Sequence, residues 1–383
     1  MNTGGRLILF VMVFLVSTSL QAVAGDIQYK VYGLNFSPYK DGQNPNWQTP
    51  ITQAQLLERM SIIQPYTRWI RTFGTSDGLE FSGAVAHGLG LKAALGAYIS
   101  SKLDTNETQI ANLIAAAQRG EADLLIVGSE VLRRSDQGED SFPDAEAKLI
   151  EYIGRVKQAV PGIQVSYADT YGELTAHPNL VAICDVLFAN YYPYWEGIAI
   201  DSALASLETR YQQVKAVAGG KRVIVSETGW PSEGNTVGDA VPSPQNANRY
   251  FIDFALWAQR NKVDYFYFSA FDETWKATAK NPQEAHWGVW DKDGKLKPGR
   301  DAVFSGRECL FDWAEQNYPQ LFAPASQATA AWSVYTYRYY PGTNVYLGVS
   351  ATDGNVYYQG PDGYLMNEGP LSYWLPQAGC QSL

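Results

Sequence analysis

The sequence predicts an α/β chain, a (β/α)8 TIM barrel followed by a small, mainly β C-terminal domain. Three observations support the barrel. Short apolar runs alternate with helix-period segments between residues 31 and 273, and such alternation forms parallel sheets. There are eight repeats over roughly 250 residues, the usual size of this barrel. A doubly wound open sheet is the alternative, but no G-x-G-x-x-G opens a helix after the first strand.

The predicted strands and helices follow one another with ordinary boundary signals. Pro242-Ser243-Pro244 stands before the helix that follows the seventh strand, and such residues commonly begin helices. The clearest predicted helices are 53–64, 107–118, 145–160 and 245–259. The predicted strands are 31–37, 69–74, 92–99, 122–128, 162–168, 186–193, 222–226 and 264–271.

The first 24 residues have the pattern of a secretory signal. Arg6 precedes an apolar run from Leu7 to Val16, and small residues lead to Ala22-Val23-Ala24. A positive start, a short apolar stretch and an Ala-x-Ala end mark a signal that is removed on export. A membrane anchor is the alternative, but spanning takes about 20 apolar residues. We therefore expect residues 1–24 to be cleaved and the product to be soluble, in a periplasm or outside the cell.

Composition excludes several classes of partner. The chain has 46% apolar and 18% charged residues, as folded globular proteins do. Its formal net charge of -10 argues against nucleic acid, since phosphate binding needs a basic face. Three His and three Cys are scattered, so we expect no zinc site and no cofactor. The 25 Tyr and 11 Trp have flat faces and polar tips that suit sugar rings.

The chain from residue 306 onward has a different pattern. A helix-like stretch leads into APASQATAA, which has the composition of a linker. Tyr-rich alternating segments follow, separated by the turn signals Gly342-Thr343-Asn344, Asp353-Gly354 and Asp362-Gly363. We therefore predict one domain over 25–305 and a small antiparallel β domain over 306–383.

Two of the three cysteines are predicted to form a disulfide. Cys309 and Cys380 bracket the C-terminal domain, and an exported protein folds where disulfides form. Closing a loop of that length stabilises the folded state by about 4 kcal/mol. Cys184 lies in the apolar segment LVAICDVLF and is predicted to be a buried free thiol.

Acidic residues follow several predicted strands at the end where barrel enzymes place their catalytic groups. Glu130 follows the fourth strand, Asp169 the fifth, Glu227 the seventh, and Asp272 with Glu273 the eighth. A single such carboxylate is more often a helix cap or a salt-bridge partner, but several converging on one barrel mouth favour chemistry. Two carboxylates in unequal environments can divide acid and nucleophile roles, as glycosidic cleavage requires.

The segments around two of these carboxylates are similar to a known enzyme family. VGSEVLRR (127–134) and VIVSETGWPSEG (223–234) resemble glycoside hydrolase family 17, the β-1,3-glucanase barrels, in their bacterial or fungal form. SETGWPS is the more specific of the two motifs. The similarity runs in order over residues 28–304, with supporting stretches at 32–46, 69–74, 188–195, 271–276 and 284–297.

The resemblance implies retaining chemistry on β-1,3-glucan. Glu130 would be the general acid/base and Glu227 the nucleophile, with their carboxyl groups about 5–5.5 Å apart. Tyr192 is expected to hydrogen-bond the nucleophile, and Arg71 to orient Glu227 or a neighbour by a bidentate bond. Hydrolysis and glucanosyl transfer share the glycosyl-enzyme, so both stay open, as does an inactive glucan-binding envelope protein.

The resemblance and the predicted barrel mouth also supply candidate substrate-binding residues. Glu273, Lys276 and Glu284 match polar positions near the family's subsites. Ser129 stands where the family usually has an Asn that contacts the sugar's 2-hydroxyl, which affects rate and fine specificity rather than reaction class. Aromatic candidates, for which sugar stacking and packing are equal alternatives, are Tyr39, Tyr167, Trp195, Trp230, Phe271, Trp275 and Trp287, with Trp230 and Trp275 favoured because they adjoin the motifs.

The C-terminal domain lies outside the resemblance, and two roles stay open for it. Its Tyr-rich strands could bind glucan, or the domain could be a stabilising cap. For the whole chain we expect a monomer that binds β-1,3-glucan, with no membrane span.

Overall fold

The computed structural model describes residues 29–322, 329–332, 335–350 and 352–380. The predicted signal and much of the predicted linker lie outside the described residues. The chain divides into a unit of Val31–Arg300 and a second unit that contains Asp301–Leu383. The division falls five residues before the predicted boundary, because a short helix at Asp301–Phe304 belongs to the second unit.

Strands and helices alternate through the first unit. The strands are β1 (Val31–Asn35), β2 (Thr67–Arg71), β3 (Lys92–Ala97), β4 (Leu124–Ser129), β5 (Gln164–Thr170), β6 (Leu187–Asn190), β7 (Val223–Glu227) and β8 (Phe266–Tyr267). The α-helices are α1 (Gln53–Ile63), α2 (Ser82–Gly88), α3 (Leu103–Gln118), α4 (Val131–Asp136), α5 (Ala145–Ala159), α6 (Tyr171–Ala176), α7 (Pro178–Ile183), α8 (Ile200–Val217) and α9 (Pro244–Arg260).

The eight strands form a parallel barrel, which confirms the predicted fold class. Strands β1 to β7 pair in chain order and β8 pairs with β1. A parallel bridge between Val225 and Tyr265 joins β7 to β8. The eighth strand is shorter than predicted, but its continuation stays bonded to both neighbours: Phe268 N–H donates to Thr228 (2.8 Å) and Ala270 N–H to Asn35 (2.9 Å).

Apolar side chains fill the barrel interior and leave polar groups for the carboxyl ends of the strands. Phe266 stacks on Phe188 with ring centroids 5.9 Å apart. Gly33 makes room for it, since a Cβ there would lie 2.5 Å from the Phe266 ring. Helix α9 packs outside with Ser243 as its cap, whose hydroxyl accepts from Asn246 N–H at 3.1 Å, as the Ser-Pro signal predicted.

The second unit is an antiparallel sheet with short helices. Its strands pair in chain order. Turns at 341–344, 352–353 and 361–362 overlap the three predicted turn signals. The strands are β9 (Ala330–Trp332), β10 (Tyr335–Tyr340), β11 (Val345–Ser350), β12 (Asn355–Gln359) and β13 (Leu365–Pro370), and the helices are α10 (Asp301–Phe304), α11 (Arg307–Asn317), α12 (Pro319–Phe322) and α13 (Leu371–Gln377).

One face of this sheet forms the core of the second unit. Leu347 and Val349 of β11 are buried in one cluster with Phe311 of α11 and Leu375 of α13. The cysteine pair closes the same core, because Cys309 and Cys380 form a disulfide with Cα atoms 5.7 Å apart. The remaining cysteine, in the first unit, is buried and free. No helix in the described parts of either unit is long and apolar enough to cross a membrane.

The disulfide predicts a specific pattern of thiol reactivity. Alkylation of the denatured, unreduced chain should modify one cysteine, Cys184, and reduction beforehand should raise the number to three, as read by intact-mass spectrometry. The Cys309→Ser/Cys380→Ser variant should unfold at lower urea concentration, because the bridge spans 71 residues and is worth about 4 kcal/mol by loop closure. Three modified thiols without reduction would contradict the pairing.

Candidate active site

The carboxyl ends of β4, β6 and β7 bring together the side chains of the site. Glu227 is the last residue of β7, Asn190 the last of β6, and Glu130 follows the last residue of β4. Neighbouring strands of a parallel barrel end at the same rim. Residues separated by about 100 positions in the sequence therefore meet there.

Glu227 is held at both carboxylate oxygens. Arg71 Nη1 donates to Oε1 at 2.7 Å, and Tyr192 donates its hydroxyl to Oε2 at 2.8 Å. Ser129 Oγ lies 3.3 Å from Oε1 as a further donor. With only 6% of the residue exposed, Glu227 has one orientation fixed from β2, β4 and the segment after β6.

Arg71 is the centre of this polar cluster and is fully buried. Besides Glu227, its Nη1 donates to Asn35 Oδ1 at 2.9 Å, and its Nη2 donates to Ser129 Oγ at 2.9 Å. The contact with Glu227 is therefore made through one nitrogen. The expected bidentate bond is wrong, because Ser129 occupies the second arm of the guanidinium.

Glu130 sits in a different environment from Glu227. Its backbone is left-handed, with φ 51°, and its N–H donates to Ala168 O at 2.8 Å. Asn190 Nδ2 donates to its Oε1 at 2.8 Å, and Arg133 Nε donates to its Oε2 at 2.7 Å. About a fifth of the side chain, 21%, is exposed, so Glu130 is the more accessible of the two carboxylates.

The surroundings of Glu130 raise its pKa. Burial is the largest cause, and the negative charge of Glu227 adds to it, whereas Arg133 and Asn190 act in the opposite direction. Asn190 is itself oriented, because its Oδ1 accepts from Ser226 Oγ at 2.5 Å and its amide N–H therefore faces Glu130. The site thus pairs an acid that keeps its proton to higher pH with a carboxylate that faces a guanidinium.

Tyr167 is enclosed by the protein next to the segment that follows Glu130. It is fully buried, donates its hydroxyl to Asp169 and accepts from Leu132 N–H at 3.0 Å. Burial raises the pKa of Asp169 to about 7. Tyr167 was predicted as a sugar-stacking candidate, and the structure corrects this, because its ring has no exposed face.

Three other aromatic candidates are also enclosed. Trp230 is 0% exposed and donates its Nε1–H to Val241 O at 3.0 Å. Phe271 lies beneath the Arg59 guanidinium, 3.6 Å from the ring centroid, and Trp287 is 2% exposed. These rings pack within the unit. The adjacency of Trp230 to the SETGWPS motif was therefore a misleading guide, and for these three rings the packing alternative holds.

Among the remaining candidates, Trp275 and Lys276 are partly exposed, whereas Tyr39 and Glu273, which lie against them, are buried. Trp275 and Tyr39 meet edge to face with centroids 6.3 Å apart. Trp275 Nε1 donates to Glu273 Oε1 at 3.1 Å, and Lys276 Nζ lies 2.6 Å from Glu273 Oε2. These four residues form one cluster, which joins Tyr39 to a segment that lies far from it in the sequence.

Glu284 is coupled electrostatically to Lys276 and Glu273 of that cluster, whereas Trp195 packs against other aromatic rings. Burial raises the pKa of Glu284, while Lys276 lowers it and Glu130 and Glu227 raise it, so its carboxyl lies within the electrostatic field of the site. Trp195 is partly exposed, with its ring centroid 5.1 Å from that of Tyr194.

Asn35, Asn190 and Arg133 belong to the site and were not among the predicted residues. Asn35 and Asn190 end β1 and β6, so they share the position that singled out the acidic residues. Extending that criterion to amides would have found them. Arg133 lies one helical turn after Glu130, in a segment whose conformation the sequence pattern does not specify.

A competing serine chemistry has no support in the structure. Residues 74–78, GTSDG, match the G-x-S-x-G pattern of some hydrolases. Ser76 Oγ, however, donates to Asp77 Oδ2 at 2.8 Å and accepts from Gln109 Nε2 at 2.8 Å. His87, the histidine closest to it in sequence, is paired with Asp123 at 2.9 Å and so is engaged elsewhere.

Comparison with known proteins agrees with this site. The sequence model of the BtgE/BtgC glycoside hydrolase domain matches residues 33–288. A protein of Aspergillus fumigatus named "Probable glucan endo-1,3-beta-glucosidase btgC" is 29% identical over 302 residues, which are 71% of this chain and 43% of that protein. The chain therefore spans less than half the length of the curated relatives it matches.

Solved structures give the same relationship. The glycoside hydrolase family 17 β-1,3-glucanosyltransferase from Rhizomucor miehei is 34% identical, with a TM-score of 0.62 over 72% of this chain and 97% of that one. An active-site mutant of that enzyme in complex with laminaritriose aligns equally well. The family model covers more than half of the chain, and the two motifs that it spans supply Glu130 and Glu227 to one barrel mouth. This chain belongs to the BtgE/BtgC glycoside hydrolase domain family, within glycoside hydrolase family 17.

Proposed function

We propose that this chain cleaves β-1,3-glucan with retention of configuration, through a covalent glycosyl-enzyme on Glu227. The observation that carries the proposal is the unequal setting of the two carboxyl groups. Burial and a neighbouring charge raise the pKa of Glu130, while Glu227 is fixed by Arg71 and Tyr192. The named activities of the relatives, glucan endo-1,3-beta-glucosidase and β-1,3-glucanosyltransferase, supply the substrate class.

In the first step, Glu130 gives its proton to the glycosidic oxygen as the bond to the anomeric carbon breaks. Glu227 attacks that carbon from the opposite face and forms an ester with it. Arg71 and Tyr192 keep the attacking carboxylate from rotating, which places it in reach of the reacting carbon without reorganisation. The raised pKa of Glu130 keeps the proton that it must donate in place to higher pH.

In the second step, Glu130 reverses its role. Formation of the ester removes the negative charge of Glu227, which was one cause of the raised pKa of Glu130. The pKa of Glu130 then falls, because that repulsion is gone while Arg133 and Asn190 still stabilise its carboxylate. Glu130 is thereby suited to take a proton from the acceptor, which releases the sugar from Glu227.

Water and a sugar hydroxyl are the two acceptors, and they define the two forms of the proposal. The Rhizomucor miehei protein is named a β-1,3-glucanosyltransferase; it has the higher identity, and a larger share of its own chain is covered. The Aspergillus relatives are named glucan endo-1,3-beta-glucosidases. The partly exposed cluster around Trp275 offers an aromatic surface on which a sugar could bind.

We also propose that the chain is exported. The signal pattern ending at Ala24 supports this, as does the Cys309–Cys380 disulfide, which forms in oxidising compartments. The intact-mass measurement that counts the alkylated cysteines also shows at which residue the chain begins. A chain that begins at Gly25 supports export, and a retained leader contradicts it.

Defined β-1,3-linked gluco-oligosaccharides test the function directly. Shorter products alone would identify a hydrolase, and longer products beside them a glucanosyltransferase, both by mass-resolved product analysis. Glu227→Gln should lower turnover by on the order of 10⁴-fold or more, because no bond to the enzyme can form. Glu151→Gln, which alters an exposed carboxyl on α5 outside the site, is the matched control and should keep activity.

Unchanged oligosaccharides with the wild-type chain would refute the substrate assignment. If they bind without turnover, the barrel is a glucan-binding protein instead of an enzyme.

The roles of the two carboxyl groups can be separated with a dinitrophenyl β-glycoside, whose leaving group needs no acid. Glu130→Ala should still release dinitrophenolate in a rapid burst and then stall, since water lacks a base in the second step. Azide, which needs no base, should restore turnover. Glu227→Ala should give no burst. A burst in Glu227→Ala with none in Glu130→Ala would reverse the assignment.

The alkaline limb of the pH profile should report Glu130. Because Glu130 must be protonated to act, kcat/KM should fall as pH rises through its pKa. Arg133 lowers that pKa by its charge, so Arg133→Met should move the alkaline limb to higher pH. Arg155→Met, on the outer helix α5 and paired with Glu107 at 2.6 Å, should leave the limb in place. A shift to lower pH in Arg133→Met would show that another group sets it.

A further inference from the structure

The sheet of the second unit has a face that its core does not use. Side chains alternate between the two faces of a strand. Val345, Leu347 and Val349 of β11 point into the core, so the alternate residues of each strand lie on the opposite face. Five of these are tyrosines, here called the tyrosine face: Tyr335, Tyr337 and Tyr339 of β10, Tyr346 of β11 and Tyr357 of β12.

The rings of the tyrosine face support one another and stay partly exposed. Tyr346 lies between Tyr337 and Tyr339, with centroids 5.6 and 4.5 Å away. Tyr335 meets Tyr357 edge to face at 5.3 Å. All five keep part of their surface accessible. The result is two groups of packed rings that together extend across three strands.

Hydrogen bonds fix two of the rings at the ends of this surface. Tyr357 donates its hydroxyl to Asp353 Oδ2 at 2.8 Å and accepts from Asn367 Nδ2 at 3.2 Å. Tyr339 donates to Asn344 Oδ1 at 3.0 Å. Rings held in place lose little conformational entropy when a ligand stacks on them, so the surface is organised before binding.

A glycine forms the floor of the tyrosine face. Gly348 stands between Tyr337 on β10 and Tyr357 on β12 in the strand register. A Cβ at Gly348 would lie 3.1 Å from Tyr337 Cβ, so the close approach of the strands favours glycine. The rings close over this position, since Tyr357 meets Tyr335 at 5.3 Å and Tyr337 meets Tyr346 at 5.6 Å, and Gly348 itself is buried. The missing side chain at Gly348 thus lets rings from the outer strands pack over the middle strand.

Charge indicates which ligand the tyrosine face takes. Residues 301–383 contain seven Asp or Glu, two Arg and no Lys. Both arginines are engaged, Arg307 with Asp301 and Arg338 with Glu308 and Glu315. A phosphate or acidic polymer would find no unpaired cation there. The tyrosine face therefore suits a neutral ligand with flat C–H surfaces and many hydroxyl groups, which describes a neutral polysaccharide.

We propose that the tyrosine face is a second binding site for β-1,3-glucan, separate from the catalytic barrel. The choice of this polysaccharide rests on the proposed function, because a unit covalently continuous with a glucan-cleaving barrel raises the local concentration of that polymer. The face would hold the enzyme on insoluble glucan, while short soluble chains would reach the barrel without it.

The test is co-sedimentation of the full chain with insoluble β-1,3-glucan. Every protein carries Glu227→Gln so that the polymer is not consumed. The Tyr337→Ala/Tyr357→Ala variant, which removes both rings beside Gly348, should bind at least about tenfold more weakly, equivalent to about 1.4 kcal/mol. Tyr373→Ala is the matched control, because Tyr373 is 59% exposed on α13, outside the tyrosine face, and should bind as the parent does.

A second arm separates this inference from the proposed function. With Glu227 intact, the double variant should process soluble oligosaccharides at the wild-type rate. Tyrosine-dependent binding without any turnover would leave the inference standing and remove the enzymatic function. Normal turnover with unaltered binding in the double variant would overturn the inference alone. Retention of the Cys309–Cys380 bridge in the double variant checks that the unit has folded.

Other occupants of the face give distinct results. Tyrosine-dependent binding to cellulose, starch or mannan in place of β-1,3-glucan would overturn the choice of polysaccharide. A wild-type dimer that the double variant converts to a monomer in sedimentation velocity would show that the face binds a second copy of the chain.

Discussion

The buried ion pair between Arg71 and Glu227 is the interaction on which the rest of the site depends. Removing two charges from water costs several kcal/mol per ion, and the attraction between them offsets this cost only when their remaining hydrogen bonds are also satisfied. Asn35, Ser129 and the Ser226 carbonyl accept from the two terminal nitrogens of Arg71, whose Nε has no hydrogen-bond partner among the described residues, and Tyr192 donates to Glu227. The pair therefore explains why polar residues gather at the ends of strands β1, β2 and β4. Its effect is to fix an orientation, more than to stabilise the fold.

The division of labour between the carboxyl groups follows from how each is partnered. Glu227 faces a guanidinium that has no exposed surface, so its surroundings barely change when substrate arrives. Glu130 faces Arg133, whose side chain is 24% exposed and also pairs with Glu139 at 3.0 Å. Solvent and a second carboxylate weaken the hold of Arg133 on the acid. One carboxylate is thus held rigidly, and the other is left free to exchange its proton.

The sequence predicted the barrel, the two carboxylates and the tyrosine-rich sheet because each rests on a local pattern. Strand alternation fixes the fold class, and the SETGWPS motif places Glu227 at the end of β7. Which aromatic rings face the barrel mouth depends on contacts from distant segments. Trp230 adjoins that motif, yet Val241 and the rings around it enclose it completely. Asn190 ends β6 in the same position as the acidic candidates and was missed because that criterion was applied to carboxylates alone, while its contacts with Ser226 and Glu130 need the structure.

Ser129 shows how one substitution in a family motif can change the use of a position. The resemblance implied a residue that reaches the sugar's 2-hydroxyl. In this structure the Ser129 hydroxyl instead accepts from Arg71 Nη2 at 2.9 Å and approaches Glu227 Oε1 at 3.3 Å. Its single proton cannot be given to Glu227 and to a sugar at once. Ser129 therefore supports the Glu227 carboxylate, and its hydroxyl keeps an acceptor lone pair, but no donor, for a sugar's 2-hydroxyl.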